Sequence, residues 1–299
     1  QAAWREAVRL VAAFPVIVAA YHRLSRREEP IAPRSDLPHV ANFLYMLHGR
    51  EASAEIVRAL ETYWNTVADH GLNASTFTAR VIVSTESDVV SAVTGAVGAL
   101  KGPLHGGAPG PALDLVFEIG TADRAERILR EKLSRGERLM GFGHRVYRTR
   151  DPRADVLGSA AEALFQSAEA RPFYDLARAV EDCAVRLLRE YKPGRSLKTN
   201  VEFYTALLLH GVGLPTQLFT PVFASARVAG WTAHCLEQIS ANRLFRPQSE
   251  YIGGHDRRWM PMGERQPVAE ERRGPGGWGP LVDAPWWWGR GLWGLPSRG

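Results

Sequence analysis

Two histidines sit on glycine-rich segments, in Gly102-Pro103-Leu104-His105-Gly106-Gly107-Ala108 and in Gly141-Phe142-Gly143-His144-Arg145-Val146-Tyr147. Such loops cost backbone entropy and bring the main chain close to whatever binds there, so an imidazole set in glycine twice points to chemistry. A third segment, Lys198-Thr199-Asn200-Val201-Glu202-Phe203-Tyr204, supplies a carboxylate. Asn200 is a predicted N-cap, which puts Glu202 in the first turn of the next helix, where the helix dipole favours its charged form. Two imidazoles and one carboxylate can take a proton from carbon next to a carbonyl and hold the resulting enol or enolate. The chemistry expected is that of a carbon acid.

The elements that must carry these groups read almost entirely as helices, with apolar residues three and four apart and stops at Gly or Pro. Asp123 is expected to cap a helix through Ile128, Leu129 and Leu133 that Gly136 ends. Asp151-Pro152 supplies a cap and a preset first residue for a helix through Val156, Leu164 and Phe165. Pro172 opens a helix whose stripe is Leu176, Val180, Cys183 and Leu187, closed by Lys192-Pro193-Gly194, and Thr220-Pro221 opens a long one through Phe223, Arg227, Trp231 and Leu236. No strand period recurs, and an all-α fold is expected. From Val89 to Leu100 the small residues Ser91, Gly95 and Ala99, with Ala92 and Ala96, allow close helix approach, either inside the chain or across a dimer.

The chain has 299 residues, 45% of them apolar, enough for a substantial core. Its net charge of +5 is carried by dispersed arginines with no basic run, which argues against a nucleic-acid partner and for anionic substrates. Cys183 and Cys235 lack metal or redox spacing and read as helix core thiols. The apolar run Val11 to Ala20 holds Pro15 and is too short to span a bilayer, so it reads as a core helix of a cytoplasmic protein with no membrane partner. From Gln266 to Gly299 the composition turns to Gly, Pro and Trp without period, and this tail, including Trp286, Trp287 and Trp288, is expected to be disordered.

From about His22 to about Arg265 the sequence resembles the citrate synthase family. The resemblance rests on the two histidine loops, on Ala68-Asp69-His70-Gly71-Leu72-Asn73-Ala74-Ser75-Thr76-Phe77, on Asp151-Pro152-Arg153-Ala154 and on Asn200 to Tyr204. Phe219-Thr220-Pro221-Val222-Phe223-Ala224-Ser225-Ala226-Arg227 and Asn242-Arg243-Leu244-Phe245-Arg246-Pro247 complete it, all in the family's order. It implies a two-domain helical fold with the active site in the cleft: a large domain over 1–104 and 207–265, with a small domain, 105–206, inserted. Family members carry further helices before the point where this sequence begins, so an N-terminally incomplete copy is expected. A homodimer with shared active sites is implied as well, which favours the dimer reading of the small-residue helix.

By the same resemblance, His105 would stabilise the enol of acetyl-CoA, His144 would polarise the oxaloacetate ketone, and Glu202 would be the base. His70, Arg153, Arg227 and Arg246 would hold oxaloacetate, a task suited to the planar fork of a guanidinium, with Arg246 reaching the partner subunit's site. Arg227 stands out independently: Ala226, Val228, Ala229 and Trp231 surround it, and a guanidinium in apolar company needs an anion. Leu139, Met140, Gly141, Phe142 and Gly143 resemble the stretch that recognises the adenine of CoA, and Arg145 and Arg148 are candidates for its phosphates. No metal and no cofactor beyond the acyl-CoA substrate is implied.

Two positions depart from the family pattern. Glu202 stands where Asp is usual, and one methylene can misplace a base by about 1 Å, at a cost of roughly a hundredfold in rate. Pro109-Gly110 replaces the usual Asn-Glu after Ala108. The leading expectation is an acyltransferase of the tricarboxylic acid cycle that condenses acetyl-CoA with oxaloacetate and hydrolyses citryl-CoA to citrate and CoA. The alternatives are a 2-methylcitrate synthase using propionyl-CoA, a distinction worth only about 1 to 3 kcal/mol, and a catalytically weak homologue that binds CoA.

Overall fold

Five helices begin where a short polar side chain accepts a free first-turn amide. Ser53, Asn73, Asp88, Asp151 and Asn200 each cap a helix in this way, accepting from the amides of Ile56, Thr76, Ser91, Arg153 and Glu202. The structure, a computed structural model, describes residues 1–264 apart from 108, 144–150, 168, 195–196, 254 and 257. Within them the helices run in the order α1 (Ala2–Ser25), α2 (His39–His48), α3 (Ala54–Val67), α4 (Ala74–Ser84), α5 (Val89–Leu100) and α6 (Pro109–Ile119). Then come α7 (Ala125–Ser134), α8 (Pro152–Leu164), α9 (Arg171–Tyr191), α10 (Val201–Gly211) and α11 (Phe219–Ser240). No strand forms among the described residues, only an isolated antiparallel bridge between Phe142 and Thr199, and the fold is all-α as expected.

Residues 1–246 form one compact unit that holds every α-helix above; residues 247–299 form another, whose described part contains a short 3₁₀ turn, Met262–Glu264. The tail expected over 266–299 lies outside the described residues. In the first unit α11 is the central post: Phe219, Val222, Val228, Trp231 and Cys235 are all buried, and α1, α3, α4 and α5 pack around it. A helix buried on nearly every side must be apolar nearly all round, which α11 is except at Arg227 and a few hydroxyl and amide side chains.

Three sequence expectations shift. Asp123 falls inside a 3₁₀ turn, Ala122–Arg124, and caps nothing with its side chain, because the chain has already begun to coil behind Thr121. The apolar run at Val11 is part of a helix of 24 residues, long and apolar enough to cross a membrane by length and composition alone; here it lies against α11 and α2, with Ala7, Pro15 and Ala19 buried. The small-residue face of α5 is used within the chain: a Cβ at Gly95 would stand 2.2 Å from Ile82 Cδ1 of α4. Pro109, one of the two departures from the family pattern, is buried as the first residue of α6, where its fixed φ suits a helix start.

Gly230 ties the post to the site. A Cβ there would come within 2.3 Å of the Ala68 carbonyl oxygen and 3.2 Å of Asp69 Cα, so only glycine lets the segment leading to His70 seat on α11. Gly230→Ala is expected to destabilise the protein by about 1–3 kcal/mol through overpacking. Gly98→Ala, on the exposed side of α5 with nothing near its Cβ, is expected to stabilise by roughly 0.5–1 kcal/mol. Urea unfolding of the two variants beside the parent checks both signs.

Candidate active site

Six segments of the chain meet at one cavity of about 200 Å³. The turn before α4 brings His70 and Asn73; the loop after α5 brings His105; the segment before the undescribed residues 144–150 brings Leu139 to Gly143. The first turn of α8 brings Arg153, the start of α10 brings Asn200 and Glu202, and α11 brings Phe223 and Arg227. The structure thus gathers His70, His105, Arg153, Glu202, Arg227 and Leu139 through Gly143. His144, Arg145 and Arg148 lie outside the described residues, and Arg246 is exposed in the extended segment after α11, away from the cavity wall.

Arg227 is almost fully buried, 1% exposed. Its Nε donates to the Val67 carbonyl at 2.7 Å and its guanidinium stacks over the Phe223 ring, 4.7 Å from the centroid. Its Nη1 is buried without a hydrogen-bond partner among the described residues. Burial lowers its pKa to about 10, so it stays charged at neutral pH. Arg153 is held differently: its Nε and Nη2 meet the two carboxylate oxygens of buried Asp151 at 3.1 and 2.9 Å, so the residue that caps α8 also aims the guanidinium.

His105 is kept neutral. Burial, then the charges of Arg227 and His70, lower its pKa to about 4. Its Nε2 lies 2.8 Å from Ser75 Oγ, which also receives the indole N–H of Trp231 at 3.0 Å and lies 2.8 Å from Asn73 Oδ1. Ser75 has one proton for two acceptors; when it goes to Nε2, His105 carries its own proton on Nδ1 and becomes a donor there. The sequence reading assigns Ser75, Asn73 and Trp231 no part in holding His105. Asn73 and Ser75 stood in a quoted motif, but nothing local ties them to a histidine thirty residues on.

Glu202 departs from the expectation of a charged first-turn carboxylate. Asn200 caps α10 as expected, its Oδ1 accepting from the Glu202 amide at 3.0 Å. Burial nevertheless raises the Glu202 pKa to about 7, Asp151 adding to the rise and the charges of Arg153 and Arg227 opposing it. Desolvation outweighs the helix terminus because the carboxylate faces a narrow cavity rather than water. The result is a carboxyl that titrates near neutral pH, lining the same cavity as a histidine that stays uncharged.

The segment 141–143 is stitched to the start of α10. Gly143 N donates to Lys198 O at 2.7 Å, Asn200 N to Gly141 O at 3.0 Å, and Asn200 Nδ2 to Gly143 O at 2.8 Å. Gly141 and Gly143 have φ of +90° and +80°, the left-handed region that glycine tolerates, and a Cβ at Gly143 would stand 2.8 Å from Leu197 Cδ2.

Comparison with known proteins gives the family. Residues 1–248 match the family described as citrate synthase, C-terminal domain. The chain is 43% identical over 265 residues to citrate synthase 2 of Bacillus subtilis, a match covering 89% of the chain and 69% of that protein. It is 42% identical over 258 residues to the citrate synthase of Synechocystis, covering 86% of the chain and 64% of the relative. The crystal structure of Thermotoga maritima citrate synthase superposes with a TM-score of 0.77 at 41% identity, over 88% of this chain and 70% of that one. Thermoplasma acidophilum citrate synthase, solved as a ternary complex with carboxymethyl coenzyme A and oxaloacetate, gives 0.79 at 33% identity, over 87% and 68%. The chain therefore spans about two thirds of the length of its relatives. With the family matched along the whole of its first unit and helical folds of the same kind among solved structures, the chain belongs to the citrate synthase family.

Proposed function

We propose that the chain is an acyltransferase that condenses acetyl-CoA with oxaloacetate and hydrolyses the resulting citryl-CoA to citrate and CoA. The observation that carries this reading is the meeting, in one cavity, of a carboxylate with a raised pKa, a neutral imidazole and two guanidiniums, one with an unsatisfied buried N–H. Oxaloacetate enters first; its carboxylates bridge Arg153 and Arg227, and His70 binds it from the other wall. The thioester of acetyl-CoA then lies with its carbonyl oxygen toward His105 Nδ1 and its methyl toward Glu202. Glu202 takes the α-proton while His105, neutral and held by Ser75, donates to the developing enolate oxygen. The carbon attacks the oxaloacetate ketone, His144 protonates the new alkoxide, and water then cleaves citryl-CoA.

The backbone of 139–143 takes the adenine of CoA, with Arg145 and Arg148 toward its phosphates. Residues 105–206 act as the small domain inserted in the large one, and its closure excludes water from the enolate. The cavity walls come from both sides of those boundaries, which supports this division. The enzyme works as a homodimer in which Arg246 completes the neighbouring site; the exposed Val90 and Val97 leave an apolar outer face on α5 for the contact. Two free thiols, Cys183 and Cys235, suit the cytoplasm.

Glu202→Gln keeps the shape and removes the base. Deuterium exchange from the acetyl methyl group and citrate formation should both be lost while calorimetry still shows oxaloacetate binding. In the parent, the exchange rate should rise with pH through about 7 as one group ionises. The sign for stability is the reverse. With a folded pKa near 7 and an ordinary glutamate value of 4.5, stability is lost as pH climbs between them, so Glu202→Gln should be more stable than the parent by about 1–3 kcal/mol at pH 8 and show little gain below pH 4. A variant that turns over like the parent would hand the role of base to another group. Assays with acetyl-CoA and propionyl-CoA in parallel settle the acyl substrate, a higher kcat/KM for propionyl-CoA assigning it to 2-methylcitrate formation.

The dimer proposal has its own test. Inactive Arg246→Leu and inactive His144→Ala chains, refolded together, should recover part of the activity, because a mixed dimer holds one site with both native residues. No recovery with mixed dimers demonstrated places Arg246 outside the partner's site.

A further inference from the structure

Glu181 lies in the middle of α9, a helix that contributes nothing to the cavity wall, yet its carboxylate is 3% exposed and heavily bonded. Thr199 Oγ1 donates to its Oε1 at 2.5 Å and Tyr204 OH donates to its Oε2 at 2.6 Å. Arg178, one turn before it, donates to both Glu181 and the Tyr204 oxygen. Thr199 and Tyr204 flank the first turn of α10, on either side of Asn200 and Glu202. Thr199 is also the residue bridged to Phe142, so whatever fixes Thr199 fixes the strand-like pairing of 198–200 with 141–143.

We propose that Glu181 is a positioning residue: one buried carboxylate receives a hydroxyl from each shoulder of the α10 start and thereby holds the Glu202 side chain and the 139–143 backbone as a single body. This rests on the reading of the site given above. The physical case is the pair of hydroxyls, Thr199 and Tyr204, that the carboxylate joins. Each carboxylate oxygen takes one hydroxyl, and the negative charge is answered by Arg178, so the cost of burying the ion is met by short charge-assisted hydrogen bonds. A glutamine in its place offers a single acceptor oxygen, so one hydroxyl must turn to accept, and Arg178 loses its ionic partner. Both changes loosen the shoulders while leaving Arg227 and His70, on other elements, where they are. Glu181 touches no substrate, and its effect on the reaction passes through the start of α10.

Glu181→Gln and the milder Tyr204→Phe, which keeps the ring and removes one donor, test this beside the parent. The expected result for Glu181→Gln is a kcat lower by about 10- to 100-fold from misplacing the base, with the oxaloacetate Kd within about threefold of the parent. Tyr204→Phe should fall in the same direction by less. Hydrogen–deuterium exchange followed by mass spectrometry should show the amides of 141–143 and 200 opening at least about tenfold more readily in Glu181→Gln, with those of α11 unchanged. Parent-like kcat and parent-like exchange in those peptides would overturn the proposal, as would a lower melting temperature with kcat per folded molecule intact. If Glu181→Gln fails to fold, Tyr204→Phe carries the same readouts. A parent that releases no CoA from either thioester would refute the reaction assigned above, and the exchange data would still decide whether Glu181 holds this frame.

Discussion

One buried charge organises the molecule. The guanidinium of Arg227 stands at the centre of α11, with one N–H on a backbone carbonyl, its face on an aromatic ring and its buried Nη1 without a hydrogen-bond partner among the described residues. Burying a cation costs several kcal/mol unless it is paired, and among the described residues no carboxylate forms an ion pair with it, although Glu202 and Asp69 act on it from a distance. Arg227 lines the cavity, and on the proposed function the missing partner is an anion that arrives with the substrate. A folded state that keeps such an imbalance is spending stability on a binding site, the trade expected where the ligand supplies the compensating charge.

The same enclosure that strands Arg227 tunes its neighbours. Low dielectric pushes carboxylate and imidazole in opposite directions, Glu202 up and His105 down, because each is driven toward its uncharged form. The pair ends up with the protonation states that the proposed enolisation needs, a carboxyl that titrates near neutral pH and an uncharged imidazole. The frame behind them is mostly hydrogen bonds to helix starts. Asn73 and Asn200 cap α4 and α10, and each also reaches a second partner: Asn73 meets Ser75 under His105, and Asn200 meets Gly143 across the cavity. Capping and site-building are one act here, so the site inherits the rigidity of the helix ends.

What the sequence revealed follows from what is local. Caps, glycine turns and apolar stripes are written within a few residues, and so the all-α fold, the cap at Asp151, the cap at Asn200 and the apolar surroundings of Arg227 were all legible. The charge state of Glu202 was not, since a first-turn position argues for an ionised group while the enclosing walls, which come from distant segments, argue more strongly the other way. Ser75, Trp231 and Glu181 were silent for the same reason. Trp231 reaches Ser75 across 156 residues and Glu181 reaches Tyr204 across 23, and no spacing rule announces a hydrogen bond between separate helices. Gly95 shows the opposite failure: a stripe of small residues was correctly read as a close approach, but sequence alone does not tell a neighbour in the same chain from one in a partner.

The most direct measurement of the central claim is thermal unfolding of the parent and of Arg227→Leu, each with and without oxaloacetate. If the buried guanidinium is waiting for a substrate carboxylate, saturating oxaloacetate should stabilise the parent, by about 2.7 kcal/mol at a hundredfold excess over Kd, and should leave Arg227→Leu, folded and cooperative, without a comparable shift. An equal rise in melting temperature for both proteins would contradict the account, because the anion would then be held by groups other than Arg227.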